Sequence, residues 1–596
     1  MKKIVSYLLV LTMLTVLIAC GDKIENQPSD VTTTIHEENP LEEFFEITWL
    51  TSNNLDYQDG RWDELELEGL FNIDLQVWQM NSLDKEAMTT MLAAGTIADY
   101  NYIPGSPREP DVLYKDGLIR SVPLEMIKNY IPGMYGLLES MPIGFKYNVV
   151  DGTTDEYLGI THIGFGSAQY FYDATAVNLD WLESVGYGLD ESELKPVKIL
   201  VPGYENWSKQ IFFTDGSFTF EDMNYILKAF TEDDPDENGE DDTFGMLYIN
   251  EVQETNMTQE GLFGFVYHPS YLYKDPVTGN VVPKTAYTPY KDYLQWIFES
   301  LSKGYMQGLP GEQSWSTEWK ALTQTNKMGI MQIHRDAYLT ADSSMPPSNV
   351  LRNTDPNARF VIGPMFSGPE GKKVDMTYTP DAFSIGKWAV DMFGIQVSDQ
   401  KLERILRMLQ YIIYTDEDTF LRYHIGIEGI HWKWSGEPYM STQLKTPQSE
   451  LEEKYRGNTM VFTGWLMVWP LAEIQAYNAV NNGYWSLPAY MYVNNLYEKY
   501  AVVPEKFLSR AYMGAELHDK YIALNTELSP QMNPIISDFK KRALNGEIAN
   551  FNTEWVQYIE QLYAAGMQKL IDEIFNNPNF EKYDAGDKFK LRKSIY

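Results

Sequence analysis

Apolar and polar positions alternate through Ile73, Leu75 and Val77, and Ile47-Thr48-Trp49-Leu50 is a short, mostly apolar run; both patterns predict strands. Between them Asp63–Gly69 has helical character with Gly69 as its stop. Leu83, Ala87, Met91 and Leu92 then share one helical face that Gly95 closes. Ala98-Asp99-Tyr100-Asn101-Tyr102 is a third short strand with polar ends. Strand, helix and strand in this order predict a parallel βαβ sheet. Further on, Phe220, Met223, Ile226, Leu227 and Phe230 line a helix that Thr219 can cap, with Asp222 three residues later. A strand follows from Thr243 to Tyr248. Tyr290, Leu294, Ile297, Phe298 and Leu301 predict a helix over 287–304, and apolar strands follow at Gly329–Ile333 and Phe360–Gly363. Leu402, Ile405, Leu406, Leu409 and Ile413 place a helix over Asp399–Tyr414, capped by Ser398. Val556, Ile559, Leu562, Leu570, Ile571 and Ile574 mark the last helix.

The first twenty residues do not fit this globular pattern. Lys2 and Lys3 precede an apolar run from Ile4 to Ile18, too short for a confident membrane span and arranged as a secretory signal. Leu17-Ile18-Ala19-Cys20 resembles a bacterial lipobox, and Cys20 is the only cysteine in 596 residues. The expectation is a signal peptide over 1–19, lipidation of Cys20, and a lipid anchor that holds the mature chain at the outer face of the cell membrane. Residues 20–43 are polar and acidic, without periodicity, and form a flexible tether. With one cysteine the chain has no internal disulfide, so its core alone must hold it. Composition supplies that core: 44% of residues are hydrophobic and 14% aromatic. The formal net charge of −37 argues against nucleic acid and against anionic lipid as partners.

One acidic stretch has the spacing of a metal loop. In Asp233-Asp234-Pro235-Asp236-Glu237-Asn238-Gly239-Glu240-Asp241-Asp242, the residues Asp234, Asp236 and Asn238 take positions 1, 3 and 5 of an EF-hand loop. Gly239 takes the sharp turn, Glu240 would act through its carbonyl, and Asp242 takes position 9. Gly245 stands where a bidentate Glu is usual, so the loop is not a full EF-hand, and a solvated acidic turn is the alternative.

Several segments, in order, resemble the extracellular substrate-binding lipoproteins of ABC-type sugar importers, in particular their LipO-like branch. They are Leu92-Ala93-Ala94-Gly95-Thr96-Ile97-Ala98-Asp99, Gly117-Leu118-Ile119 with Pro123-Leu124 and Ile127 to Pro132, and Asn178-Leu179-Asp180-Trp181-Leu182-Glu183-Ser184-Val185-Gly186. Gly363-Pro364-Met365 with Gly368-Pro369-Glu370-Gly371-Lys372, and Gly426-Ile427-Glu428-Gly429-Ile430-His431-Trp432, complete the series. Ala98 replaces the usual proline, and Asn178 a common arginine. The resemblance implies an α/β, two-lobed periplasmic-binding-protein-like (type II) fold with interleaved lobes and a hinge. Lobe 1 is expected over 44–173 and 335–410, and lobe 2 over 174–334 and 411–596. It also implies a structural calcium ion in the Asp-rich loop, a carbohydrate ligand between the lobes, ABC permease transmembrane subunits as partners, and a monomer.

Sugars offer flat C–H faces to aromatic rings and hydroxyl pairs to carboxylates, whose charged acceptors make the stronger hydrogen bonds. The candidate ligand-binding residues are therefore Trp62, Asp99, Tyr102, Trp315, Trp319, Trp432 and Trp465. Asp99 and Tyr102 end a predicted strand, Trp315 and Trp319 lie in the polar segment 312–320, and Trp432 follows the Gly-x-Glu-Gly stretch. The histidines have no metal or triad spacing, and no H-E-x-x-H, G-x-S-x-G, P-loop or G-x-G-x-x-G is present. No enzyme is expected. The rival readings are an exported lyase or glycosidase and a peptide-binding lipoprotein of the same architecture.

Overall fold

A computed structural model describes residues 41–583, apart from 52–53, 163–172, 217, 250–258, 267–268, 310–316, 335–340, 342, 344, 364, 372–389, 439–440, 442, 464–499 and 501. By contacts the chain divides into Met1–Glu43 and Phe44–Tyr596. The second unit holds all the elements below.

The first sheet begins as the alternation predicts. Strands β1 (Phe45–Leu50), β2 (Ile73–Val77) and β3 (Tyr100–Asn101) are parallel, with β1 in the middle. Helices α1 (Trp62–Phe71) and α2 (Lys85–Ala93) make the two crossovers. Then come β4 (Ile119–Arg120) and β5 (Ile160–Thr161). The chain next builds a second sheet from β6 (Asp173–Asn178), β7 (Lys195–Pro196), β8 (Ile211–Phe213), β9 (Phe244–Ile249), β10 (Met306–Leu309), β11 (Met328–His334) and β12 (Phe360–Ile362), in the order β10-β9-β11-β6-β12-β8-β7. Strand β13 (Val390–Gly394) then returns to the first sheet. It lies between β3 and β4, also pairs with β5, and is antiparallel to all three. Each sheet has its own apolar cluster, one around Leu50, Met88, Ile119 and Met392, the other around Val177, Phe230, Ile330 and Val361.

Helix starts follow their caps. Thr219 Oγ1 accepts the Asp222 N–H at 3.1 Å while the Asp222 carboxylate accepts the Thr219 N–H at 2.9 Å, opening α3 (Phe220–Glu232) with a capping box. Helix α4 is Thr288–Ser302, and Ser398 accepts the Lys401 N–H at 3.2 Å to open α5 (Asp399–Tyr414). Helix ends follow their caps less simply. α1 runs through Gly69 and stops at Asn72, which takes the left-handed conformation (φ 50°) that ends a helix. In α2 the buried face is Met88, Met91 and Leu92, while Leu83 precedes the helix and is exposed. The last helices start at Phe551, and their buried stripe is Phe551, Trp555, Tyr558 and Leu562; Val556 faces outward, 55% exposed.

Two stretches sit on the opposite side from that expected. β12, expected in lobe 1, is an inner strand of the second sheet, so the first sheet resumes only at β13. Residues 411–463, expected in lobe 2, pack on the first sheet's half. The Trp49 indole N–H donates to Val461 O at 2.9 Å, Arg422 pairs with Glu66 at 2.7 Å, and Trp62 stacks on Tyr423 with ring centroids 5.8 Å apart. Arg404 of α5 is the buried tie between these layers. Its guanidinium donates to the carbonyls of Phe71 and Asn72 at the end of α1 and covers the Phe45 ring. Replacing it removes this donor from the buried Phe71 carbonyl, at about 1–3 kcal/mol. Arg404→Met should therefore lower the unfolding free energy by that amount, read as a lower denaturant midpoint, and an unchanged midpoint would remove Arg404 from this role.

Candidate functional site

Parallel strands leave their carboxyl ends together, and the loops there are where α/β folds bind ligands. In the first sheet these loops are tied to one another. Trp78 N–H donates to Trp49 O (2.9 Å), Tyr102 N–H to Leu50 O (2.9 Å), Asn54 N–H to Met80 O (3.1 Å) and Gly105 N–H to Ser82 O (2.8 Å). A Cβ on Gly105 would stand 2.8 Å from the backbone of Ser82 and Leu83, so the approach requires glycine. Within this knot Thr51, Asn54 and Ser82 are buried. The Thr51 and Ser82 hydroxyls and both amide atoms of Asn54 have no hydrogen-bond partner among the described residues. Each such group costs about 1–3 kcal/mol if left bare, so these positions call for a partner beyond the described residues.

Beside them is a buried polar cluster. His162, just past β5, and Asp391 of β13 place Nε2 and Oδ1 2.8 Å apart. The approach is close enough for an ion pair, but it lacks the alignment of a hydrogen bond. The Tyr102 ring lies against His162 with centroids 5.2 Å apart. Burial, reinforced by the Asp391 carboxylate, holds the Tyr100 and Tyr102 phenols protonated far above the ordinary range.

The expected ligand residues are not brought together by the described structure. Tyr102 joins the cluster just described. Asp99 is engaged within its own half: its carboxylate accepts from Thr48 N–H (2.9 Å) and Gln396 Nε2 (3.1 Å) and pairs with Lys401 (3.2 Å). Trp62 is buried beside Tyr423 and His431, under the Arg422 guanidinium. Trp319 lies in the helix Thr317–Gln324, with its side chain outside the described set; Trp315, Trp465 and Cys20 lie outside the described residues. Trp432 is buried, donates its indole N–H to Gly426 O at 2.8 Å, and walls a cavity of about 220 Å³ with His431, Gln443, Lys445, Asn458 and Met460. Two residues along from Met460, Phe462 packs edge-on against Trp49 of β1. Sequence reasoning missed Thr51, Asn54, Ser82 and His162. It also missed Asp391, whose signal was available: one carboxylate inside the apolar run from Trp388 to Phe393.

No family model matches the chain. The polygalacturonan/rhamnogalacturonan-binding protein YtcQ of Bacillus subtilis (strain 168) is 26% identical over 245 residues, which are 39% of this chain and 44% of that protein, less than half its length. Among solved structures, an HMO-binding, ABC-transporter-associated solute-binding protein of Bifidobacterium longum infantis matches with a TM-score of 0.57 at 14% identity, over 89% of this chain and 97% of that one. The S. pneumoniae ABC-transporter substrate-binding protein FusA, as an EF-hand mutant with fructo-nystose, matches with a TM-score of 0.51 at 16% identity, over 88% and 97%. The fold is that of a type II solute-binding protein.

In this type II fold the Asp-rich loop follows α3 and curls through left-handed Asp234, Glu237 and Gly239 (φ 47°, 54° and 82°). Asp234 accepts the N–H groups of Asn238 (3.2 Å) and Gly239 (2.9 Å). Asn238 Oδ1 accepts the Glu240 N–H (2.7 Å), and its amide donates to Asp236 (3.0 Å) and Asp242 (3.3 Å). Among the described residues no three His, Cys, Asp or Glu side chains converge as a metal site. The Lys327 ammonium lies 3.1 Å from Asp236 and 2.6 Å from Asp242. Asp236 Oδ1 is left buried without a partner among the described residues. As arranged, the loop fits calcium only if this ammonium withdraws. In Lys327→Met, calcium should raise the melting temperature by more than it raises that of the unmodified chain. Equal calcium responses would show that Lys327 does not compete for the loop.

Proposed function

We propose that this chain is an extracellular solute-binding protein that captures a carbohydrate between its lobes and delivers it to the transmembrane subunits of an ABC permease. The observation that carries this reading is the row of buried neutral groups, Thr51, Asn54 and Ser82, without partners among the described residues, at the carboxyl ends of a type II fold's first sheet. Hydroxyls and a primary amide match a ligand made of hydroxyls, each of which donates and accepts. The polygalacturonan/rhamnogalacturonan-binding, HMO-binding and fructo-nystose-bound relatives support it, and all three are named as binding or substrate-binding proteins, not as enzymes. Ligand that touches both lobes favours the closed form by its differential affinity, and that closed form is what a permease can distinguish. A calcium ion in the Asp234–Asp242 loop would be structural, and the working unit is a monomer.

Anchoring at Cys20 belongs to the same reading. Among the described residues no helix is long and apolar enough to cross a membrane. Cys20→Ala should move the chain from the membrane fraction to the medium, and a variant still found with membranes would exclude this anchor.

The ligand test is thermal melting of the full chain in detergent against a panel of oligosaccharides. A ligand at a hundred times its Kd adds about 2.7 kcal/mol to folding stability. One glycan class should raise the melting temperature and be recovered intact, and Asn54→Ala should weaken that class by about tenfold, the effect of losing one or two hydrogen bonds. No shift with any glycan, or recovery of cleaved glycan, would overturn the reading.

A further inference from the structure

The cavity beside Trp432 has no carboxylate in its wall. Several polar atoms of that wall are already used. His431 Nδ1 accepts the Ile427 N–H at 2.9 Å, and its Nε2 meets Tyr455 O at 3.0 Å, which makes Nε2 the donor of a neutral ring; burial, the largest influence, lowers the His431 pKa and keeps it neutral. Gln448 Oε1 accepts the Gly457 N–H (2.9 Å), Asn458 Oδ1 accepts the Met460 N–H (3.0 Å), and the Thr459 hydroxyl donates to His424 O (2.9 Å).

Two further groups stand in that wall. Gln443 is 6% exposed, and its Nε2 has no acceptor among the described residues. The Lys445 side chain reaches the surface, and no carboxylate among the described residues forms an ion pair with it. Its ammonium is crowded by protein, and that burial lowers its pKa. Both of these groups are donors, and the lining contains no Asp or Glu. The chain has 84 acidic and 47 basic residues, yet no acid stands in this wall beside the ammonium. A charge-assisted hydrogen bond to a carboxylate would answer both donors at once. The volume, about 220 Å³, is about seven waters' worth of liquid at ~30 Å³ each, which suits one sugar ring and not a chain.

We propose that this cavity is a subsite for a carboxylate-bearing sugar residue, a uronate, held by Lys445 and Gln443 beside Trp432. The proposal rests on the carbohydrate-binding reading above and assigns its charge class. The test is calorimetric titration of the full chain in detergent with an oligogalacturonate and with the same oligomer methyl-esterified, which keeps shape and removes charge. The acid form should bind at least tenfold more tightly than the ester. Lys445→Met should erase that ratio, Lys445→Arg should largely keep it, and Gln443→Leu should reduce it. A loss of fold would weaken both ligands alike and leave the ratio between them standing. Equal binding of acid and ester in the unmodified chain, or a ratio untouched by Lys445→Met, would overturn the proposal. Binding of neutral glycans alone would overturn it while leaving the carbohydrate reading in place, and binding of no glycan would overturn both.

Discussion

The first sheet exists because a strand from far along the chain completes it. β13 enters after the whole second sheet has been built, and every one of its five residues is buried. Its neighbours β3, β4 and β5 are two residues long each, too short to hold a sheet without a partner that spans them. β13 is that partner for all three. Its insertion also carries a carboxylate, Asp391, into the middle of the sheet, where His162 and the tyrosines 100 and 102 surround it. An unpaired charge at that depth would be costly, so the position of His162 at the end of β5 is bound to the position of Asp391.

The sequence pattern was a good guide to elements and a poor one to neighbourhoods. Alternation at Ile73, Leu75 and Val77 reports which side chains face a core, and the strand is found there. Thr219 and Ser398 report where helices begin because their side chains replace a missing backbone partner, a local matter. Gly69 misled because a glycine on the exposed face of α1 only weakens a helix, whereas Asn72 in the left-handed conformation ends it. The side taken by β12 and by residues 411–463 was not readable, since the same apolar stripe suits either sheet. The site was legible in part. Aromatic residues were the natural search for a sugar, yet Trp62 and Trp432 are committed to their own packing. Thr51, Asn54 and Ser82 are small, neutral and common. Only their burial without partners distinguishes them, and that is a property of three dimensions.

The surplus of acid is managed locally. Arg61 pairs with Asp63, Arg422 with Glu66, Lys401 with Asp99, and Lys327 with two carboxylates of the Asp-rich loop. These cations are taken up by the fold itself, so the overall charge of −37 says little about which cations a ligand meets. What a ligand meets is set by the few groups the fold leaves over.

The tie between Trp49 and Val461 has a geometric corollary. It fastens the wall of the Trp432 cavity to the same sheet whose strand ends carry Asn54 and Ser82. Both places therefore ride on one half of the molecule, and a hinge between the halves leaves the distance between them unchanged. For a ligand of the proposed class that reaches both, this fixed separation sets the number of sugar units between them, independently of how far the opposite half swings.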